Sequence, residues 1–435
     1  MSSEMIPPLR TRHYPRTPGL VNRTHADVDA EVHRNRALAA PFTAAMGPRP
    51  ARPRLVATAE GAIGRMLLTV PAYAVGSPPL AAVYQELLGA LPAAVSLVVM
   101  THQETAADVR AWLAASGREG TTALVEAPNH LNFSVWAEDG YVAVTDGEEG
   151  GTYLVEPFSF PRYGDSLIAD LVANATDLED TQAPLYFQGG NVLIGGDFFF
   201  IGADYPAESL RYLGGVLVPA PGESPAQFVQ RLYGEYLDPA RRMIAVASTV
   251  PVPGEQRRRI EVGGVEWTEE LYAGNRPGTV QPIFHIDMFI TLAGGRRVLV
   301  GDPRLAAEIL DVPLAAHATP EVFDDIARSL ARLGFEVVRN PLPLVYVDDP
   351  DRRVRQWYFA TSNNALVDIP AAGGPSVFLP TYGHGAWESL RLTDKRNREL
   401  WEEMGFTVHA LGDFHPFAEN LGALHCIKKY LGRSA

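Results

Sequence analysis

A single cysteine and two distant clusters of polar side chains carry the groups in this sequence best suited to chemistry. Cys426 lies close to the C-terminal end, Trp136 and Asp139 share one upstream segment, and His285 and Asp287 share another. If the fold brings these segments together, a stabilised thiolate could attack a cationic substrate that carboxylates hold in place. The alternative is an inert core residue, because free cysteine is among the most buried residue types.

The spacing of His285 and Asp287 predicts that both side chains face one cavity. They lie two residues apart in residues 283–292, a segment with strong strand character, and such residues face the same side of a strand. The alternatives are a structural histidine satisfied by its neighbour, or an exposed polar pair at a strand end. We expect His285 rather than His425 to partner Cys426, since adjacent side chains of an extended chain point in opposite directions.

The segment that contains Trp136 and Asp139 is predicted to end one strand and begin a hairpin. Asp139 precedes Gly140, an ordinary turn pair, so a turn former is the alternative to a binding carboxylate. The indole of Trp136 could form a wall for an alkyl chain.

Two further segments are candidates for substrate binding. Gln188, Gly190 and Asn191 precede a strand, where glycine permits positive φ or a close approach of the backbone to a ligand. Asn364 either bonds the loop that carries the active residues or forms a turn, and we favour the turn. The sequence contains neither an HExxH motif nor a second cysteine, so it gives no indication of a metal site, and no cofactor is expected.

Composition limits the function classes. The 435 residues carry a formal net charge of −14, which argues against nonspecific nucleic-acid binding and against anionic membrane surfaces. No apolar run reaches the length of a membrane span, and the N-terminus has no apolar signal core. One cysteine fits a reducing compartment, so we expect a cytoplasmic protein. The sequence makes no prediction about the oligomeric state.

The organisation predicted from the sequence is an N-terminal extension, residues 1–50, followed by one repetitive catalytic body, residues 51–435. Four hairpins are predicted where two apolar segments flank turn-forming residues. Their paired strands are 133–135 with 141–144, 191–194 with 198–201, 288–292 with 297–300, and 365–369 with 376–379. Each is followed by a helix and another strand, with a weaker copy at 80–100. About five such units can surround an axis, so that their segments converge on one channel.

Local signals mark the helices of these units. Ser224 and Thr319 each precede a proline and are predicted to cap a helix with their hydroxyl groups. Gly334 and Gly405 each end a helical pattern just before a strand, which makes them equivalent positions of two units.

Taken in order, these segments resemble the pentein superfamily of guanidino-modifying enzymes. The resemblance runs from about residue 51 to the C-terminus through Trp136-x-x-Asp139, Gly189-Gly190-Asn191, His285-x-Asp287, Asn364 with Pro380-Thr381-Tyr382, and Leu424-His425-Cys426-Ile427. It implies an α/β fold, a five-bladed α/β propeller of repeated units around a central active-site channel. The superfamily includes arginine, agmatine and peptidyl-arginine deiminases, dimethylarginine hydrolases and arginine-glycine amidinotransferases.

The resemblance implies a role for each matched residue. Cys426 matches the nucleophile and His285 the general acid and base, while Asp139 and Asp287 match the carboxylates that grip the guanidinium. A planar guanidinium suits paired hydrogen bonds to carboxylates, and its central carbon is electrophilic. The expected activity is deimination, which releases ammonia and leaves a ureido product.

The chain departs from the superfamily pattern at two positions. Gln188 stands where many members have a carboxylate, and Glu138 stands where many have arginine. The expected partner is a small guanidino substrate or the arginine side chain of a peptide. Two alternatives stay open: amidino transfer to an amine acceptor, and a noncatalytic binding protein on the same fold.

Overall fold

The computed structural model describes residues 49–213, 218–253, 257–271, 273 and 278–434. The predicted N-terminal extension therefore lies almost entirely outside the described residues. The chain divides into two compact units. The first contains Ser77–Ala90 and Ala247–His425, and the second contains Leu91–Val246, Cys426–Ala435 and the described part of Thr17–Gly76. The assignment of 51–435 to one catalytic body stays a prediction.

Helices and short strands alternate along the described residues, which gives the mixed α/β class that the sequence predicts. The strands are β1 (Pro53–Leu55), β2 (Ala62–Val70), β3 (Ser96–His102), β4 (Thr122–Ala127), β5 (Val142–Asp146), β6 (Thr152–Glu156), β7 (Glu179–Gln182), β8 (Val192–Ile194), β9 (Phe198–Gly202), β10 (Arg242–Val246), β11 (Arg257–Val262), β12 (Val265–Leu271), β13 (Ile290–Leu292), β14 (Arg297–Asp302), β15 (Glu336–Pro341), β16 (Leu344–Asp349), β17 (Val354–Phe359), β18 (Leu366–Asp368), β19 (Ser376–Thr381), β20 (Thr407–Asp413) and β21 (Lys428–Ser434). The α-helices are α1 (Ala72–Val75), α2 (Pro78–Ala90), α3 (Ala106–Ala115), α4 (Ile168–Ala175), α5 (Asp204–Leu213), α6 (Pro225–Tyr236), α7 (Pro303–Leu310), α8 (Pro320–Arg332), α9 (Arg391–Glu403) and α10 (His415–Ala418).

One sheet motif recurs five times among the described strands. Two strands pair antiparallel, and a third strand then lies parallel to one of them. The motif joins β5, β6 and β7, then β8, β9 and β10, and also β21, β2 and β3 in the second unit. In the first unit it joins β13, β14 and β15, then β18, β19 and β20. This is the repeating unit that the sequence predicts; its closure into a five-bladed propeller stays a prediction.

A further sheet of the first unit was not predicted from the sequence. Its strand order is β11, β12, β17, β16, and β12 and β17 run parallel. The strands β11 and β12 form a hairpin rich in charged residues, some of them adjacent, so no alternation of apolar and polar residues marked them as part of a sheet.

Three of the four predicted hairpins are confirmed, and the hairpin at 133–135 with 141–144 is wrong. Residues 133–135 form no strand, and β5 pairs instead with β6. The turn lies beyond β5, where Gly150 and Gly151 take φ of 76° and 92°. Asp146 stabilises this turn because its carboxylate accepts from the backbone N–H of Glu148. The sequence-based prediction placed the turn at Gly140, one strand too early.

The helix signals are confirmed, with one difference in the caps. Ser224 caps α6 through a reciprocal pair of bonds with Gln227. Thr319 precedes α8, but at φ 38° its hydroxyl makes no capping hydrogen bond. Gly334 and Gly405, each separated by one residue from the C-terminal end of α8 or α9, take φ of 86° and 89°, as equivalent helix ends should.

Each unit has its own apolar core. In the first unit the ring of Phe323 from α8 meets Phe289 and Phe359 at centroid distances of 5.7 Å and 5.8 Å. In the second unit a buried cluster joins β5, β8 and β9 to α6, through residues such as Val144, Phe199 and Phe228. None of the described helices has both the length and the hydrophobicity needed to cross a membrane.

The two equivalent glycines generate a stability prediction. Gly405→Ala should lower the free energy of unfolding by about 1–2 kcal/mol, since an L-residue is strained at this φ although a Cβ would have open space around it. Urea denaturation measures the change. Gly89→Ala is the matched control, because Gly89 lies inside α2, also has open space and has no positive φ. The control should gain about 0.5–1 kcal/mol; equal signs for the two variants would contradict the prediction.

Candidate active site

His285 occupies a buried turn of the first unit. It is fully buried and directly precedes the 3₁₀ turn Ile286–Met288, while β13 begins only at Ile290. Its ring lies against Phe284 at a centroid distance of 4.0 Å. The prediction that His285 and Asp287 lie on a strand is therefore wrong, because the strand begins only after both residues. That their side chains face one cavity stays a prediction.

Asp287 pairs with a histidine that the sequence analysis set aside. Its Oδ2 lies 2.9 Å from Nδ1 of His425, and both side chains are almost fully buried. This contact fixes the orientation of the His425 ring. The pair spans 138 residues of sequence, so only a structure could reveal it.

Asn364 ties the segments of Asp287 and His425 together. Its Nδ2 donates to the carbonyl oxygen of Asp287 at 3.3 Å, and its own carbonyl accepts from the His425 N–H at 3.0 Å. The preference for a turn former was wrong. Asn364 instead bonds the loop that carries the candidate residues, which was the other interpretation of this position.

Tyr382 stabilises the turn that contains Asp287 through a chain of hydrogen bonds. Its hydroxyl donates to the Thr361 carbonyl at 2.9 Å, and the Thr361 hydroxyl donates to the Met288 carbonyl at 2.6 Å. Asp394 accepts from the N–H of Tyr382 and Gly383, at 3.0 Å and 2.7 Å. Burial raises the pKa of Asp394 to about 6, and these two N–H bonds oppose that rise.

Asp139 lies in a buried loop of the second unit. Residues 128–141 contain no strand, so the prediction that the segment of Asp139 ends a strand and begins a hairpin is wrong. Its Oδ2 accepts from Nη2 of Arg162 at 2.7 Å, and both side chains are buried. Burial raises the pKa of Asp139, while Arg162, Lys429 and Lys428 oppose that rise.

Arg162 also binds a second carboxylate. Its Nε donates to Asp165 at 2.5 Å, and Asp165 accepts from the N–H and the hydroxyl of Ser134, each at 2.6 Å. The Ser134 hydroxyl in turn accepts from the N–H of Trp136 at 3.2 Å. These bonds hold the loop from 134 to 139 without regular secondary structure.

Glu138 is the centre of a buried cluster of three charges. Its carboxylate accepts from Nζ of Lys428 at 2.6 Å and from Nζ of Lys429 at 2.7 Å. Its backbone N–H donates to the carbonyl of Cys426 at 3.1 Å. The segment that carries Cys426 is thereby fixed to the loop that carries Asp139, within the second unit.

The glycine pair after Gln188 allows a close backbone approach. A Cβ on Gly189 would lie 1.8 Å from the carbonyl oxygen of Glu138, so no larger residue fits. The Gly189 N–H donates to the Asp139 carbonyl at 3.0 Å. Gln188, Gly190 and Asn191 are buried beside it, and Gly189–Asn191 forms a 3₁₀ turn.

Trp136 and Cys426 are both buried in the second unit. Trp136 is 4% exposed and Cys426 is 2% exposed, and the cysteine forms no disulfide. Their roles as alkyl wall and nucleophile stay predictions. Across the described ranges, no group of three or more His, Cys, Asp or Glu side chains is arranged to hold a metal ion.

Each unit therefore brings part of the predicted set together. The first joins Asp287 to Asn364, and His285 directly precedes the turn that contains Asp287. The second joins Asp139 to the Gly189 turn and to the Cys426 segment. Sequence reasoning missed the side chains that neutralise or orient these groups: Arg162, Lys428, Lys429 and His425.

The Glu138 cluster generates a stability prediction. Glu138→Gln should lower the free energy of unfolding by about 3–5 kcal/mol, because it leaves two buried ammonium groups without their carboxylate. Thermal denaturation measures the loss, and adding Lys428→Met should recover part of it.

Glu235→Gln provides the matched control in the same unit. Glu235 pairs with Arg49 at 3.1 Å, but both side chains are largely solvent-accessible, so the control should lose less than about 1 kcal/mol. Equal losses of unfolding free energy in Glu138→Gln and Glu235→Gln would contradict the prediction that the buried cluster stabilises the fold more than an exposed ion pair.

Comparison with known proteins shows a relationship in fold. No protein-family model matches the chain, and no curated protein matches its sequence. Agmatine deiminase from C. jejuni aligns with a TM-score of 0.56 and 11% identity, over 88% of this chain and 96% of that one. Agmatine deiminase from Enterococcus faecalis aligns with a TM-score of 0.56 and 13% identity, over the same shares. These neighbours agree with the resemblance found in the sequence, and the chain has the α/β fold of these deiminases.

Proposed function

We propose that this protein is a guanidino-group deiminase that uses Cys426 as its nucleophile. The observation that carries the proposal is the alignment with an agmatine deiminase structure over 88% of this chain. Cys426, His285, Asp139 and Asp287 are the residues to which the sequence resemblance gives the catalytic and binding roles. A five-bladed α/β propeller around a central channel is part of the proposal, supported by the five repeats of the sheet motif.

The proposed reaction replaces one nitrogen of the guanidinium with the oxygen of water. The Cys426 thiolate forms a bond to the central carbon, and His285 gives a proton to the departing ammonia. His285 then takes a proton from water, whose oxygen attacks the same carbon and releases the thiolate. The products are a ureido compound and ammonium.

The carboxylates of the proposed site bind and orient the cation. Paired hydrogen bonds from a planar guanidinium to carboxylates fix both its position and its plane, which favours attack geometry. Asp139 carries this role in the second unit, where the Arg162 contact already fixes its carboxylate. Asp287 carries it in the first unit, where His425 orients its carboxylate.

The substrate class follows from the same chemistry. An arginine-type guanidino compound, either small or as a side chain of a peptide, supplies the cation. Agmatine is the first probe, because two of the structural neighbours are agmatine deiminases. The net charge of −14 is compatible with attraction of a cationic substrate.

The test is an assay of ureido product and ammonia with agmatine, arginine, dimethylarginine and an arginine-containing peptide. We expect turnover of at least one compound by the parent protein, and a loss of about a thousandfold or more in Cys426→Ala, because the covalent step disappears. Circular dichroism of the variant checks that the fold is retained.

The outcomes separate the alternatives. Equal activity in Cys426→Ala would refute the nucleophile. Product that forms only when an amine acceptor is added would replace hydrolysis by amidino transfer. Failure with every substrate, with and without acceptor, would refute the deiminase proposal and favour the noncatalytic interpretation.

A further inference from the structure

The guanidinium group of Arg162 contacts Asp139, the carboxylate that the proposed function assigns to binding the substrate's guanidinium group. It is buried and bridges Asp139, at 2.7 Å, and Asp165, at 2.5 Å. The sequence motifs gave no role to this residue. The bridge has one cation and two carboxylates, so it keeps a net charge of −1 if all three groups are ionised.

The chain holds Arg162 rigidly in this bridge. Phe160 lies under the guanidinium, with its ring centroid 4.9 Å from Cζ. Two residues after Arg162, a Cβ on Gly164 would lie 1.8 Å from the carbonyl oxygen of Asn132, so this loop packs directly against the segment before Ser134. The ring and the two ion pairs therefore hold the Arg162 side chain, and the backbone packing at Gly164 holds the loop that carries it.

Among the charges around Asp139, Arg162 most strongly opposes the rise in the pKa of this carboxyl group. Arg162, Lys428 and Lys429 favour the carboxylate, while Asp165 and Glu138 lie in the same cluster as like charges, and the Tyr141 phenol is buried beside it. Burial is the largest influence and raises the pKa of Asp139; Arg162 is the largest opposing influence. The lysines are shared with Glu138, so they compensate Asp139 less directly.

We propose that Arg162 is a positioning residue for substrate binding, which fixes the Asp139 carboxylate and keeps it charged for the incoming cation. The inference rests on the proposed function, because it takes Asp139 as the group that receives the substrate. Arg162 itself acts through Asp139. Lysine cannot replace it fully, because only the planar fork donates to two carboxylates in fixed directions.

The test is calorimetric binding of agmatine to Cys426→Ser, with Arg162 intact or changed to Gln or Lys, from pH 6 to pH 9. At pH 7, Arg162→Gln should raise the Kd at least about tenfold, the scale of a lost hydrogen bond to a charged group. Without Arg162 the pKa of Asp139 rises further. A larger fraction of the Asp139 carboxylate is then protonated at the acid end of this range than at the alkaline end, so the difference in Kd should narrow as the pH rises.

Arg162→Lys keeps the charge, so it should weaken binding with little change in the pH profile. Arg241→Gln is the matched control: Arg241 forms an ion pair with buried Asp238 in the same unit and contacts main-chain carbonyls. The control should leave the Kd for agmatine within about twofold, since Arg241 bonds Asp238 and the carbonyl oxygens of Gly195 and Leu55 rather than Asp139 or Asp165.

The outcomes are decisive in each direction. A Kd change below about twofold in Arg162→Gln, a change that is the same at every pH, or an equal change in Arg241→Gln would overturn the proposal. Absence of agmatine binding in Cys426→Ser with Arg162 intact would overturn it too. Binding with the expected pH dependence, but no turnover by the protein with Cys426 intact, would refute the deiminase function alone.

Discussion

The compensation of buried negative charge is the constraint on which the candidate site depends. Glu138, Asp139, Asp165 and Asp287 are all nearly inaccessible to water, and an isolated carboxylate in such a place is costly. Each is held by a group of the chain: two lysines, an arginine shared by two carboxylates, and a histidine. These contacts also explain how loops without regular secondary structure keep defined positions.

Glu138 illustrates how a local departure from a family pattern can be compensated far along the chain. The resemblance leads one to expect arginine before Asp139, and glutamate reverses that charge. The structure supplies Lys428 and Lys429, which follow Cys426 closely in sequence and bind the Glu138 carboxylate. These ion pairs neutralise the buried glutamate, and they tie the loop of Asp139 to the segment of the proposed nucleophile. Gly189 completes the packing, because any Cβ there would collide with the Glu138 carbonyl.

The sequence could predict what depends on local chemistry. The positive φ of Gly334 and Gly405, the capping box at Ser224 and three hairpins all follow from residue preferences within a few positions. Prediction from the sequence failed where contacts with side chains far along the chain determine the local backbone structure. The loop from 134 to 139 looked like a strand and a turn, but its shape is set by Asp165, by Arg162 and by Lys428, which lies 290 residues from Glu138. Charge pairs of this separation leave no periodic pattern in a single sequence.

The same contacts bear on how a cation would bind. Asp139 and Asp287, the carboxylates proposed to hold the substrate, already accept hydrogen bonds from Arg162 and His425. A carboxylate has two oxygens and about four directions in which it can accept hydrogen bonds. A partner on one oxygen therefore does not exclude a second cation. It does determine from which directions that second cation can donate. A planar guanidinium meets such a requirement better than a primary ammonium, whose three donors are free to rotate. Selectivity for guanidino compounds over simple amines would then come from the internal partners as much as from the carboxylates themselves.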